Sequence, residues 1–388
     1  MENFTYNLPT RIVFGKNQID ALSRELKQEN VQTMLLVYGK QSIFNLGIYD
    51  RVKATAHALG ITVYEEGGVR ANPELKSVLN GRKTTREKNV DFILAVGGGS
   101  VIDAAKSIAY AHYKDDEKDV WGAYRGNATI DKALPIGTIL TLAATGSETN
   151  GNAVLSNDDT GEKRNIKNSI LMPVFSIIDP EYTKSVPTHH VIAGSIDIMM
   201  HVFEQYFSKT PHTDTSDYMS TGVLRSVIDN TRRVLKGEDS YAARANLSWA
   251  STLALSWILQ MGKIGDWASH RISYPITADY GITHGLALSI IQPAWMQIAL
   301  RENPEVMRFR LSRIGRELFE IEEPEAVIEA FKDLFREFGA PASFSEAGVT
   351  IRDEDAKRMA KTGVELGNVG NTIEIDETLA VDIFNAAR

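Results

Sequence analysis

At 388 residues, with an apolar share of 43% and a charged share of 24%, the chain has room for about two or three domains and the composition of an ordinary soluble globular protein. A net charge of −8, with no basic run or basic–aromatic stripe, argues against nucleic acid and anionic membrane surfaces as partners. The absence of cysteine excludes disulfides, thiolate metal sites and cysteine nucleophiles. The start, Met1-Glu2-Asn3-Phe4-Thr5, lacks the charged head and apolar core of a signal peptide. No apolar run approaches the ~20 residues that cross a bilayer, so the expected address is the cytoplasm.

The first half alternates strand and helix signals. Residues 31–37 form an apolar, β-leaning run ending in Tyr38-Gly39; residues 47–59 read as a helix and 61–64 as a second strand. Asn72-Pro73-Glu74 has the marks of a helix start, with proline near the first helical position and an acid in the first turn, and that helix should run to about residue 88. Asp91-Phe92-Ile93-Leu94-Ala95-Val96 is a short buried strand, followed at once by Gly97-Gly98-Gly99-Ser100. A helix is expected over 101–110, with apolar residues at 101, 102, 105, 108 and 109. This rhythm implies a mostly parallel sheet with helices on both faces.

Residues 134–141 form another strand, running into a stretch rich in threonine and serine that ends at Asn150. Asp158-Asp159-Thr160-Gly161 marks a hairpin turn within 152–167. Ser176-Ile177-Ile178-Asp179-Pro180 is a last short strand closed by proline. Beyond Pro187 helical periods dominate, with Met307, Leu311, Ile314 and Leu318 marking one amphipathic helix. The expected organisation is an α/β dinucleotide-binding domain over 1–184 and an all-helical metal-binding domain over 185–388.

Three stretches carry chemistry. Gly97-Gly98-Gly99-Ser100, between a buried strand and a helix, stands where a diphosphate binds in open α/β sheets, because backbone N–H groups and a helix N-terminus meet there. It is not GxGxxG, and a tight strand-to-helix turn would use the same glycines. Lys106, two turns into that helix, reads as a solvated side chain. The hydroxyls of 138–149 could serve ribose, nicotinamide or phosphate, or simply cap local backbone groups. At the end of the first strand, Gly39-Lys40-Gln41-Ser42 offers no acid for a ribose 2′-hydroxyl and one cation. That favours NADP(H) over NAD(H), with Lys40 or Ser42 near the 2′-phosphate.

The third stretch spans 194–285. Asp197 and His201 share a helix face at i, i+4, separated by apolar Ile198, Met199 and Met200, and His270 and His284 follow. A buried carboxylate needs a partner, a hydrogen bond or a metal. Three imidazoles and one carboxylate suit Fe(II), Zn, Ni, Co or Mn. The same spacing also suits a salt bridge and hydrogen-bonded structural histidines. Gly281 and Gly285 bracket His284, which would let the backbone approach a ligand or cofactor.

With these stretches in order, the chain resembles the iron-dependent (group III) alcohol dehydrogenase family over essentially its whole length, and within it the butanol dehydrogenase and NADPH-dependent aldehyde reductase branch. The resemblance rests on Tyr38-Gly39, Val69-Arg70-Ala71-Asn72-Pro73, Gly97 to Ser100 with Val101-Ile102-Asp103, Ala144-Thr145-Gly146-Ser147-Glu148, Asp179-Pro180, Asp197 to His201, Gly265-Asp266-Trp267-Ala268-Ser269-His270 and His284-Gly285. It implies a two-domain enzyme, often a homodimer, with its active site in the cleft. Hydride would pass between NAD(P)(H) and a primary alcohol or aldehyde. It places the metal, iron by default, on Asp197, His201, His270 and His284, the diphosphate on Gly97, Gly98, Gly99 and Ser100, and the nicotinamide by Asp103, Thr141 and Thr145. Gly39 belongs to the same nucleotide site.

One position departs from the family pattern. A second histidine often follows the third ligand by one turn and is proposed to take part in proton transfer; here Tyr274 stands there. A phenol, with an ordinary pKa of about 10, relays protons near neutrality only in an environment that lowers it. Otherwise protons pass through water and the ribose hydroxyl. Tyr274 and Asp103 are the candidate catalytic side chains, and Trp267 either lines the substrate pocket or packs within its segment. The rival readings are a glycerol dehydrogenase or a dehydroquinate-synthase-like lyase of the same architecture, a catalytically impaired nucleotide and metal binder, and a metal-dependent hydrolase. A sugar-phosphate substrate would need a basic cluster, for which only Lys263 and Arg271 are at hand. A hydrolase would leave the glycine loop without a task.

Overall fold

The computed structural model describes residues 1–238, 240–365 and 367–388. It divides into two compact units, Asn7–Ser185 and Val186–Arg388, with Met1–Tyr6 packing in the second. The first six residues therefore belong with the helical unit, and the break follows Ser185.

The α/β unit runs β1 (Arg11–Phe14), α1 (Leu22–Gln28), β2 (Thr33–Tyr38), α2 (Ser42–Asn45), α3 (Ile48–Ala58), β3 (Thr62–Glu66), α4 (Leu75–Glu87), β4 (Phe92–Gly97), α5 (Gly99–Ala111), α6 (Glu117–Tyr124), β5 (Ile136–Leu140), β6 (Asn152–Asn157), β7 (Glu162–Lys167) and β8 (Phe175–Ile178). Six strands form a parallel sheet in the order β1-β8-β5-β4-β2-β3, and β6 and β7 form a separate antiparallel hairpin. Successive strand residues point to opposite faces. Met34 and Leu36 of β2 enter one core with α1 and α3, while Leu35 and Val37 enter the other with α4 and α5. Both faces are covered, so the central strands are largely apolar, and the buried hydroxyls of Thr138 on β5 and Ser176 on β8 are hydrogen-bonded to each other at 2.7 Å.

The α4 start differs from the sequence expectation. Glu74 is extended and bridges to Ser156, with Asn72 at φ 57°, so the helix begins at Leu75, two residues beyond Pro73.

The helical unit comprises α7 (Thr188–Tyr206), α8 (Asp214–Leu235), α9 (Tyr241–Ala254), α10 (Ala268–Tyr280), α11 (His284–Glu302), α12 (Pro304–Phe319), α13 (Pro324–Phe338), α14 (Asp353–Gly363) and α15 (Glu377–Ala386). Helix α7 is its axis. Every residue from Ala193 to Tyr206 is buried, which is expected of a helix surrounded by others rather than lying on a surface. Among the described residues no helix is long and apolar enough to cross a membrane.

Candidate metal centre and nucleotide loop

Asp197 and His201 lie one turn apart on buried α7. His270 comes from the first turn of α10, and His284 is the first residue of α11. Their ring Nε2 atoms stand 3.9, 3.8 and 3.8 Å from Asp197 Oδ1, in the order 201, 270, 284. These separations are too long for hydrogen bonds and short enough for two metal–ligand bonds of ~2.0–2.2 Å each to span. Asp197 Oδ1 and His270 Nε2 are buried without a hydrogen-bond partner, which leaves the structural alternative of a hydrogen-bonded pair unmet. Asp197, His201 and His270 form a compact, buried set of potential ligands. His284 is more open, with 29% of its side chain exposed. The donor set fits a divalent ion.

The electrostatics follow from this crowding. Burial alone would push the Asp197 carboxyl upward, but the neighbouring His201, His270 and His284 outweigh it and hold the group at about 2. Burial pushes His270 down, while the carboxylates of Asp197 and Glu204 outweigh it and raise the ring to about 9.

Glu204 is a candidate site residue that sequence reasoning missed. One of its oxygens, Oε1, takes both the His270 backbone N–H and the ring Nδ1 at 2.8 Å, so the ring presents Nε2 to Asp197. A carboxylate behind a ligand histidine fixes its tautomer and orientation. The signal was present: Asp197, His201 and Glu204 recur at i, i+4 and i+7, one stripe of the otherwise apolar stretch 196–204. Gln205 steadies the same turn by donating to the carbonyls of His201 and Ala254, each at 2.6 Å. Asp266 accepts backbone N–H groups from Ala268, Asn371 and Thr372, fastening the α10 start. Burial and the nearby Glu204 raise its carboxyl to about 7.

The glycines around His284 have packing and backbone roles of their own. A Cβ on Gly285 would lie 2.1 Å from the Ala193 carbonyl oxygen, so this glycine lets α11 press against the α7 backbone. Gly281, at φ 66°, closes α10 in the left-handed conformation, with open space where its side chain would be. Gly285 thus sets how closely His284 and the start of α11 approach α7, while Gly281 ends α10.

Tyr274, one turn after His270, has its ring 6.0 Å from that of His284. Trp267 packs at 5.4 Å from Trp257 and 5.9 Å from His270, and its indole N–H donates to Gln260. Lys263 is withdrawn from any substrate: its ammonium is buried on Asp217 at 3.1 Å, a carboxylate shared with Arg310 and Arg313.

In the α/β unit, β2 and β4 are neighbours whose following helices, α3 and α5, leave on opposite faces. Beyond the carboxyl ends of such a pair lies the crevice in which open α/β sheets bind ligands. Gly97 ends β4, Gly98 precedes α5 and Gly99 opens it; with glycine at the N-cap, no side chain caps the first turn. A Cβ on Gly97 would lie 2.5 Å from Val101, on Gly98 3.1 Å from Leu142, and on Gly99 2.4 Å from Thr145 Oγ1. The glycines thus serve the packing of the loop against Val101, Leu142 and Thr145. Thr141 donates its backbone N–H to the Gly97 carbonyl, bringing the segment after β5 over the loop. Gly39 and Lys40 follow β2, and Lys40 and Ser42 are exposed.

Lys106 is not solvated. It is fully buried and donates to the Ser147 carbonyl and hydroxyl at 2.7 Å, the Asn152 carbonyl at 2.8 Å and Asn150 Oδ1 at 3.3 Å. Asp103 is likewise engaged inside the unit, accepting from the Ser147 hydroxyl at 2.7 Å and the Val154 N–H at 3.0 Å. Burial raises its carboxyl above the usual range, against the pull of Lys106.

Comparison with known proteins agrees along the whole chain. Residues 9–180 match the family model for iron-containing alcohol dehydrogenase, and residues 191–388 the C-terminal model of the Fe-containing alcohol dehydrogenase family. NADH-dependent butanol dehydrogenase B of Clostridium acetobutylicum is 40% identical, over 99% of this chain and 99% of its own. The NADPH-dependent aldehyde reductase YqhD of Escherichia coli is 34% identical over the full length of both. The crystal structure of NADH-dependent butanol dehydrogenase A from Thermotoga maritima superposes with a TM-score of 0.94 at 34% identity, covering 100% of this chain and 99% of that one. A parallel sheet with a glycine loop at its crevice, a helical unit with a buried carboxylate among three imidazoles, and full-length likeness in sequence and structure lead to one conclusion: this chain belongs to the iron-containing alcohol dehydrogenase family and is an NAD(P)-dependent oxidoreductase.

Proposed function

We propose that the protein interconverts primary aldehydes and alcohols of short chain with a nicotinamide dinucleotide, and that Asp197, His201, His270 and His284 hold the divalent metal, Fe(II) by default. The observation that carries this is the set of three imidazole Nε2 atoms 3.8–3.9 Å from one buried carboxylate oxygen that has no hydrogen bond. When bound, the metal supplies Lewis-acid polarisation of the substrate oxygen. The chain's own part is to orient and to manage protons. Glu204 keeps His270 in the tautomer that leaves Nε2 to the metal. The uncapped start of α5 and the Gly97–Ser100 backbone receive the diphosphate, with Thr141 and Thr145 lining the nicotinamide side. Asp103 acts through its bonds to Ser147 and Val154. Tyr274, the polar side chain one turn from His270, is the candidate to hold the proton that the substrate oxygen gains or loses.

For the dinucleotide, we propose NADP(H) over NAD(H), because residues 39–42 offer the exposed Lys40 and Ser42 and no carboxylate. The names of the relatives span both cofactors. A sugar-phosphate substrate is disfavoured by the burial of Lys263 on Asp217.

The test is oxidation of NADPH and NADH with butanal by chelator-stripped protein, with and without added Fe(II) or Zn. Metal-dependent turnover that is faster with NADPH is expected. Faster turnover with NADH would overturn the role of Lys40 alone. Folded, metal-loaded protein without turnover would overturn the reaction.

A further inference from the structure

Lys106 is a fully buried cation that hydride transfer does not require, and the connection it grips, residues 145–152, walls the glycine loop. Thr145 sits where a Gly99 side chain would be, at 2.4 Å, and Leu142 flanks Gly98 at 3.1 Å. Nothing in the sequence of this connection holds it there by hydrophobic burial alone. Ser147, Glu148, Thr149 and Asn150 are all buried polar residues, and such residues are stable only with their hydrogen bonds made.

We propose that Lys106 is a positioning residue for the nicotinamide dinucleotide. One ammonium group draws Ser147, Asn150 and Asn152 onto α5, and so holds Thr145 and Leu142 against the diphosphate loop. Asp103, one turn earlier, completes the tie through the Ser147 hydroxyl and the start of the β6–β7 hairpin at Val154. The helix that opens at the diphosphate loop therefore carries, on its next turns, the groups that set the loop's far wall. This rests on the reading of Gly97 to Ser100 as the dinucleotide site.

Lys106→Met keeps the side-chain length and removes the three donors, leaving buried acceptors unpaired. Ser147→Ala removes the link to Asp103 and the Lys106 bond to the hydroxyl, and leaves the Lys106 bonds to the Ser147 and Asn152 carbonyls and to Asn150. The measurement is the Kd for NADPH by titration of its fluorescence, together with KM, kcat at saturating NADPH, bound metal and far-UV circular dichroism. In Lys106→Met, Kd and KM for the dinucleotide are expected to rise by about tenfold or more, with kcat at saturation changed far less and metal content unchanged. Ser147→Ala should move in the same direction by a smaller factor. If Lys106→Met does not fold, Ser147→Ala decides the matter. Unchanged Kd in both variants, with only a lower melting temperature, would overturn the proposal and make Lys106 a core residue. Failure of the parent protein to bind NADPH or NADH at all would instead overturn the assignment of the loop.

Discussion

Glu204 shows how much a single carboxylate can do from behind a ligand. It touches no position that a substrate could reach, yet it takes two hydrogen bonds from His270, one from the backbone and one from the ring. Glu204→Gln keeps an acceptor of the same shape and removes the charge that favours a ring donating through Nδ1. Metal affinity, measured by competition with a chromophoric chelator, is expected to fall by about 10–100-fold with the helical spectrum intact. Unchanged affinity would reduce Glu204 to an anchor for the α10 backbone. Asp197 and the three histidines were legible as candidate ligands from residue type and spacing. Glu204 was not read, because a glutamate on a helix is ordinarily solvated, and its place on the stripe of Asp197 and His201 gains meaning only from the burial of residues 193–206.

At the level of elements, the geometry of the proposed metal ligands depends on how closely α7, α10 and α11 approach. Gly285 marks the contact of α7 with α11. Gly285→Ala forces a methyl group into the Ala193 carbonyl, so it should destabilise the protein by about 1–3 kcal/mol and lower metal retention after dialysis. Gly281→Ala is the control: it costs about 1 kcal/mol of left-handed backbone strain, meets no neighbour, and should leave metal retention close to the parent's. If both variants retain metal equally, the packing of α11 on α7 does not set His284.

The hairpin β6–β7 has its own electrostatic clasp. Burial would push the Glu162 carboxyl up, but hydrogen bonds from Arg125 and Arg164 outweigh it and hold it at about 2. Because the folded value lies below the unfolded 4.5, this stabilisation is complete above 4.5 and is lost as pH falls toward 2. Glu162→Gln should therefore lower the melting temperature at pH 7 by more than at pH 3. An equal loss at both pH values would sink this account.

For the whole molecule, two units with separate cores imply two separate ligand responses. On the proposed assignments, metal binds the native helical unit and dinucleotide the native α/β unit, and each would stabilise what it binds by mass action. In hydrogen exchange, chelation should speed exchange in α7, α10 and the start of α11. NADPH should slow it at the Gly97–Ser100 loop and around Thr141 to Asn150. Protection by NADPH confined to the helical unit would contradict the site assignments.

The sequence by itself determined a good deal: the parallel α/β half, the helical half, the glycine loop between a buried strand and a helix, and the four candidate ligands. Strand alternation, helical period and the rarity of buried charge are local signals, readable a few residues at a time. Tertiary structure alone decided what the unremarkable residues do. Lys106 looked solvated and is buried on a loop some forty residues away in sequence. Gly285 looked like room for a ligand and is room for a neighbouring helix. Lys263 looked available to a substrate and is spent on Asp217. In each case the deciding partner lies far along the chain, and burial, which local pattern does not report for an isolated polar residue, turns a surface side chain into a structural one.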